Sequence, residues 1–262
     1  MPGPFAAFTI TRNEALFLPL WCQYYSTVFG EENCYIIDND TTDGSVETVK
    51  QRFPSINVEQ QHREAEHDTR WLLEVVQRKQ RQLLASHKVV VFAETDEFLL
   101  AKPGGKYKDL HDVCEQLLVD PHRNWIQAQG WQCMQAPDEP AITVVRGEPA
   151  LKDRATVQQH EQYCKTLVSK VPLSWVGGFH WRDIGNGRGD KNPSSIDSDL
   201  ALLHLWTLDA EAFMERRRNR MQKWGQLEKW PDMWTMFKDQ ENSCRLHASM
   251  PTPEEWRELL VW

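Results

Sequence analysis

Several signatures are missing from this 262-residue sequence, and each absence excludes a class. No G-x-G-x-x-G follows the first apolar run and no G-x-x-x-x-G-K-[ST] occurs, so neither the dinucleotide-binding fingerprint nor a P-loop is present. The six cysteines, at 22, 34, 114, 133, 164 and 244, form no C-x-x-C pair, and a chain of this length needs no covalent staples. A structural zinc site and a disulfide framework are therefore not expected. The longest uncharged stretch, Ala15 to Gly30, is interrupted by Pro19, Gln23, Ser26 and Thr27. It falls short of the ~18–20 apolar residues that span a bilayer. The N-terminal MPGPFAAFTITRNEA has no basic start and no sustained apolar run, so no signal peptide is expected and the default location is cytoplasmic. There is no internal repeat and no low-complexity tract. Basic residues are in deficit: Lys plus Arg is 30 against 38 Asp plus Glu, a net charge of −8. Such a chain has no long-range field for phosphates, which argues against general binding of nucleic acid.

What is present is an ordinary globular composition, 40% hydrophobic and 26% charged, with an excess of Trp, 12 in all. Those rings imply either a thick aromatic core or flat faces for stacking on a ligand. The length suits one large domain.

The first hundred residues alternate between two patterns. Apolar runs at Phe5–Ile10, Cys34–Ile37 and Val89–Ala93, with a weaker one at Asn57–Gln60, read as strands. Glu14–Phe29, Gly44–Phe53 and Thr69–Ser86 carry helical spacing. A β-α-β-α-β-α-β order predicts an α/β fold with a mostly parallel, Rossmann-like sheet flanked by helices. The second half is mixed. Tyr107–Leu118 reads as a helix. Trp125–Met134, Ala141–Val145, Tyr163–Ser169, Ser174–His180 and Leu200–Trp206 read as strands, the first two joined by a turn at 137–140. Arg182–Asp199 reads as a long loop, and a loop of that length in a compact domain is usually functional or disordered. Asp209–Trp224 reads as a basic helix and Pro253–Leu260 as a short terminal one.

Three of the strands end in polar, mostly acidic residues. Open α/β sheets bind ligands outside the carboxyl ends of their strands, so these groups are expected to converge. Glu94-Thr95-Asp96-Glu97 is the strongest local signal. Carboxylates gathered beside a buried strand call for a neutralising cation, and Mg²⁺ or Mn²⁺ takes one or two carboxylates plus substrate phosphates. The plainer alternative is an acidic strand-end loop. Asp38, Asp40 and Asp43 follow the second strand, where they either accept hydrogen bonds from a base or ribose or simply form turns. In Thr11-Arg12-Asn13-Glu14, Thr11 or Asn13 also suits a helix N-cap. His204, in an apolar strand, is on its own more often a hydrogen-bonded core residue than a ligand. Arg216, Arg217, Arg218 and Arg220 read first as a solvated helix face, and second as a patch for an anionic acceptor or for peripheral contact with membrane headgroups.

Taken in order, T-R-N-E-A at 11–15, I-I-D-N-D-T-T-D-G-S at 36–45 and V-V-V-F-A-E-T-D-E-F-L at 89–99 resemble the successive motifs of family-2-like glycosyltransferases of the GT-A fold. The branch resembled has a metal motif of the D-x-D-E-F type. C-K-T at 164–166, G-G-F-H at 177–180, L-L-H-L at 202–205 and the basic helix that follows also resemble it, so the likeness runs from about residue 5 to 225. It implies one GT-A-type domain with a nucleotide-sugar half (1–106), an acceptor half (107–225) and a helical tail (226–262). It implies a nucleoside-diphosphate sugar as donor, a glycan or other hydroxyl as acceptor, and Mn²⁺ or Mg²⁺ as cofactor. Thr11, Arg12, Glu14, Asp38, Asp43 and Thr95 would lie against the donor, with Asp38 holding the base. Asp96 would ligate the metal. Glu94, one methylene longer than the usual first Asp, would touch metal or ribose. His204 would complete the metal shell, with His180 as rival for that role or a donor contact. Lys165 would reach the diphosphate, and Gln77, Arg78 and Arg81 would offer a donor contact from the preceding helix. An inverting reaction also needs a base for the acceptor hydroxyl. Asp183, Asp138 and Glu139 are the candidates.

Two other readings compete. A metal-dependent nucleotide phosphohydrolase or nucleotidyltransferase would use the same carboxylates and would release pyrophosphate or sugar phosphate. A non-catalytic carbohydrate-binding module would use the Trp faces and bind sugar without nucleotide.

Overall fold

The most apolar runs become strands buried on both faces, as a parallel sheet covered by helices requires. A computed structural model describes residues 3–62, 69–136, 138–190, 192–223 and 249–262. Pro137, Trp224, Trp230, Trp234, the side chain of Arg220 and most of the 226–262 tail lie outside the described residues.

β1 (Phe5–Thr11), β2 (Cys34–Asp38), β3 (Asn57–Gln60) and β4 (Val89–Phe92) are parallel, in the spatial order β4-β1-β2-β3. Three helices connect them: α1 (Leu18–Phe29), α2 (Ser45–Arg52) and α3 (Thr69–Leu84). Pro19 sits in the first turn of α1, where no backbone N–H is needed, and Gly30 ends the helix at φ 85°. α3 buries Val75, Val76, Gln80 and Leu83, one stripe at helical spacing.

Beyond β4 the sheet becomes mixed. β5 (Glu97–Ala101) precedes α4 (Leu110–Val119), whose N-cap Asp109 accepts a bond from the Asp112 amide. β6 (Trp125–Met134), β7 (Thr156–Gln159), β8 (Thr166–Ser169) and β9 (Ile196–Thr207) follow, then α5 (Ala210–Lys223), β10 (Ser249–Pro251) and α6 (Glu254–Leu259). β8 pairs antiparallel with both β4 and β6. β9 runs parallel to β6 and antiparallel to β5. The order is β10-β7-β6-β8-β4-β1-β2-β3, with β9 and β5 off that path. The expected α/β class, with a parallel half and a mixed half, is the architecture observed.

Several element assignments differ from the sequence reading. Helix α1 begins at Leu18 rather than Glu14, leaving Asn13 and Glu14 in a loop with Asn13 at φ 57°. The acidic tetrapeptide does not end in a loop, because Glu97 opens β5. Ala141–Val145 forms no strand, and Val144 and Val145 are exposed. Ser174–His180 forms none either. Gly178 turns the chain at φ 74°, and buried Trp175 and Phe179 anchor a loop instead of alternating across a ladder. β7 carries no strand signal in the sequence, because Thr-Val-Gln-Gln has one apolar residue. β9 starts at Ile196, so it takes the last residues of the expected long loop.

The Trp residues divide between core and margin. Trp21, Trp131, Trp175, Trp256 and Trp262 are buried, and Trp71, Trp125, Trp181 and Trp206 are half-buried. Among the described residues, no helix is long and apolar enough to cross a membrane.

Candidate functional site at the carboxyl edge of the sheet

The ends of β1 and β2 are level, with Thr11 opposite Asp38. Their loops are stitched together. The Asn13 side-chain oxygen accepts the Thr42 amide at 2.8 Å. One Asp43 oxygen accepts the Ala15 amide at 3.0 Å, and the other accepts the Ser45 amide at 2.9 Å and its hydroxyl at 2.6 Å. Asp38, buried, accepts the Thr41 amide at 2.9 Å. Asp40 pairs with His62 at 2.9 Å. Asp43 is therefore committed to loop structure, whereas only one oxygen of Asp38 is engaged by the bonds just given. Thr11 is buried, and its hydroxyl has no hydrogen-bond partner among the described residues. Arg12 is half-buried in the same loop.

The turn from β4 into β5 holds the second group. Lys165, just ahead of β8, lies 2.7 Å from Glu94 and 2.5 Å from Glu97. The Lys165 and Glu97 side chains are 2% and 0% exposed, so this is a buried pair, while Glu94 at 36% faces outward. Glu97 also accepts the Glu94 amide at 3.2 Å. Thr95 is buried in the turn. Burial opposes the Lys165 charge, but Glu94 and Glu97 outweigh it and hold the ammonium pKa above its ordinary value. Burial pushes Glu97 up to about 7, helped by Glu94 and Asp96 and resisted by Lys165.

Asp96, in the same turn, is tied to β9. Its carbonyl accepts the Leu205 amide at 2.8 Å, which fixes it beside β9. There His204 Nε2 lies 3.8 Å from the Asp96 carboxylate. Burial holds the imidazole pKa well below its usual value, with Lys165 adding to the effect, so the ring is neutral. Tyr163 lies flat on that ring, centroids 4.1 Å apart and planes 23° apart. Arg216 reaches in from α5. Its guanidinium sits over the Phe17 ring at 4.6 Å, donates to the Trp206 carbonyl at 2.7 Å, and stands 3.4 Å from Glu14 and 3.7 Å from Asp96. Burial, then the Asp96 charge, raises the Glu14 pKa to about 7 despite Arg216.

The fit to a divalent cation can be judged from these groups. Asp96 and His204 face each other across a gap too wide for a hydrogen bond, and the neutral imidazole is the ligating form. Among the described residues no set of three His, Cys, Asp or Glu side chains is arranged to hold a metal. Two protein ligands suit Mg²⁺ or Mn²⁺ when substrate phosphates supply the rest. Glu94 fits less well, since Lys165 already engages it.

The remaining expected residues are distributed as follows. Lys165 is closed between two glutamates rather than open toward a diphosphate. His180 bonds the Gln162 carbonyl at 2.6 Å and lies near Tyr163, ring centroids 6.3 Å apart. Gln77 bonds the Leu73 carbonyl of its own helix. Arg78 reaches Gln61 at 2.8 Å, and Arg81 is exposed a turn later. That end of α3 approaches the start of β4, where buried Gln80 bonds Ser169, so Arg81 lies away from the acidic edge. Asp183 accepts the Gly185 amide within its loop, and Asp138 is exposed. Glu139 accepts the Ala136 and Ala155 amides at 2.9 and 2.7 Å, which commits it to holding that loop.

Two participants were not foreseen as such. Tyr163 carried no sequence signal. The sequence reads Arg216 first as part of a solvated face and second as part of an anion-facing patch; it is half-buried beside Glu14 and Asp96, while Arg218 is exposed. Its spacing held the clue: it lies three residues past buried Phe213, on the same side of α5.

No family model and no curated protein matches the sequence. Among solved structures, the chain is similar to a mannosyltransferase from Pyrobaculum calidifontis in complex with GDP-Man and Mn²⁺. The identity is 16%, over 52% of this chain and 37% of that one, with a TM-score of 0.35. It is also similar to residues 1–349 of S. aureus TarS in complex with UDP-GlcNAc, at 15% identity over 58% of this chain and 42% of that one, with a TM-score of 0.32. A cytidylyltransferase from Leptospira borgpetersenii matches at 13% identity over 55% and 57%, with a TM-score of 0.29. The chain spans less than half the length of the mannosyltransferase and TarS chains.

Proposed function

We propose that this chain is a metal-dependent glycosyltransferase that moves a sugar from a nucleoside-diphosphate sugar to a hydroxyl acceptor with inversion. The observation that carries the reading is the meeting of Asp96 and His204, 3.8 Å apart, at the sheet edge where Glu14 and Asp38 also end. An edge so acidic repels a diphosphate unless cations intervene, and Arg216 supplies only one positive charge there.

In this reading residues 1–106 bind the donor and 107–225 the acceptor. Asp38 offers its free carboxylate oxygen to the base, and Thr11 and Glu14 lie toward the ribose. Asp96 and His204 hold Mn²⁺ or Mg²⁺, which supplies Lewis-acid stabilisation of the departing nucleoside diphosphate. Lys165 balances the charges of Glu94 and Glu97, so the turn that presents Asp96 keeps its shape. Arg216 faces the same anionic leaving group from α5. With Glu139 committed to its loop, Asp183 and Asp138 are the carboxylates to test as acceptor base. Asp183 belongs to the 182–195 loop, whose closure would exclude water.

Incubation with a panel of nucleotide sugars and Mn²⁺ tests the reading. An intact nucleoside diphosphate, released as its sugar is transferred or hydrolysed, supports it. Pyrophosphate or sugar phosphate as product would replace it with the nucleotidyltransferase or phosphohydrolase reading. Sugar binding with no nucleotide binding would replace it with the carbohydrate-binding one.

A further inference from the structure

A histidine that ligates a metal almost always donates its second ring nitrogen to an oxygen, which fixes tautomer and orientation. Among the described residues His204 lacks that support. Its Nδ1 is buried and has no hydrogen-bond partner among the described residues. The backbone of His204 is pinned by ladders on both sides, opposite Glu97 in β5 and Gln132 in β6. Rotation of the ring about its last bond is left to packing, because terminal torsions of this kind are broad. Tyr163 is stacked on the ring at 4.1 Å, and Trp206 meets it edge-on at 6.0 Å.

Tyr163 is in turn pressed into place from below. It ends a short turn, Glu161–Tyr163, that crosses β6 at Gly130. The Gly130 carbonyl accepts the His160 amide at 2.9 Å, and its own amide reaches the Cys164 sulfur at 3.3 Å. A Cβ at Gly130 would meet the Tyr163 carbonyl carbon at 2.5 Å and the Cys164 nitrogen at 2.8 Å, both backbone atoms that cannot swing aside. The glycine is therefore what lets the turn lie close enough for Tyr163 to cover His204. His160 also meets the same tyrosine, ring centroids 4.7 Å apart and planes tilted by 40°.

We propose that Tyr163 is a positioning residue for the cation, holding the His204 imidazole toward Asp96 by aromatic stacking in place of the missing hydrogen bond, with Gly130 setting its height. This rests on the metal-dependent reading above. The test is Mn²⁺ affinity, measured from the electron paramagnetic resonance signal of free Mn²⁺ in the presence of a nucleoside diphosphate (UDP and GDP in turn). Tyr163→Phe keeps the stack and is expected within about twofold of wild type. Tyr163→Met keeps an apolar side chain over the ring without the aromatic face and is expected to weaken Mn²⁺ binding at least about tenfold, the scale on which outer-shell partners act. Gly130→Ala is expected to weaken it similarly, through displacement of the turn. Cooperative thermal unfolding checks each variant, and Tyr163→Leu substitutes should the Met variant not fold. Wild-type affinity in the Met or Leu variant overturns the inference, as does equal loss in Tyr163→Phe, which would assign the effect to the hydroxyl. If wild type binds no Mn²⁺, the metal-dependent reading fails and this inference with it.

Discussion

Replacing Lys165 by Met tests whether that side chain is a structural counter-ion or a ligand-facing cation. In wild type the ammonium is 2% exposed, 2.7 Å from Glu94 and 2.5 Å from Glu97, and Glu97 is fully buried. Removing one partner of a buried ion pair leaves Glu97 either charged without compensation or forced to take up a proton, at a cost of up to about 3–5 kcal/mol. Glu94 adds little to that figure, because its carboxylate is 36% exposed and water screens it. In a chain of this size the loss corresponds to a fall in melting temperature of roughly 10 °C. The double variant with Glu97→Gln should recover much of it, since the unpaired charge is then removed as well. Urea denaturation of wild type, the two single variants and the double variant completes the cycle. A Lys165→Met chain within about 1 kcal/mol of wild type, or a double variant no better than the sum of the singles, would refute the buried-pair argument.

Two further stability predictions rest on other clusters. Asp197 is buried and accepts bonds from Lys106 at 2.8 Å, Tyr107 at 2.7 Å and Arg123 at 3.1 Å. Burial alone would raise its pKa, but these donors and the Asp199 amide hold it below the usual carboxylate value. A depressed carboxylate stabilises the fold above its unfolded pKa, and the contribution is lost as pH falls through the native one. Asp197→Asn should therefore cost about 2 kcal/mol near neutral pH, with the gap closing in strong acid, and a gap independent of pH would contradict this. Arg216→Gln removes the bond to the Trp206 carbonyl and should lower stability by about 1–2 kcal/mol in urea titrations. No measurable loss would return Arg216 to the solvated face first read from the sequence.

How far the fold was legible depended on burial. β1, β2 and β4 are continuous apolar runs because helices cover both faces, and Gly30 and Pro54 mark helix ends plainly. β5 was hidden because its first residue is a charged Glu97, whose burial makes sense only once Lys165 is known to lie beside it. That pairing joins positions 68 residues apart, which no local pattern reports. Ser174–His180 shows the opposite error. Its aromatic residues are buried, yet Gly178 breaks the extended path, so burial alone did not make a strand. The positions of Asp38, Asp96 and His204 at the sheet edge were legible, because Asp38 closes an apolar strand, His204 lies within one and Asp96 sits in the short turn between two. Arg216 and Tyr163 were not, since their roles depend on α5 and the 161–163 turn folding over the sheet edge. The carboxylates Asp43 and Glu139 had the right chemistry but are committed to loop amides.

The central claim is that Asp96 and His204 make this acidic edge into a metal-dependent site for a nucleotide sugar. The most direct test is release of nucleoside diphosphate from nucleotide-sugar donors with Mn²⁺, with EDTA, and with Asp96→Ala. The account predicts turnover with Mn²⁺ and its collapse in both other cases, while the Asp96→Ala chain still folds. Full activity in EDTA, or in folded Asp96→Ala, would contradict it.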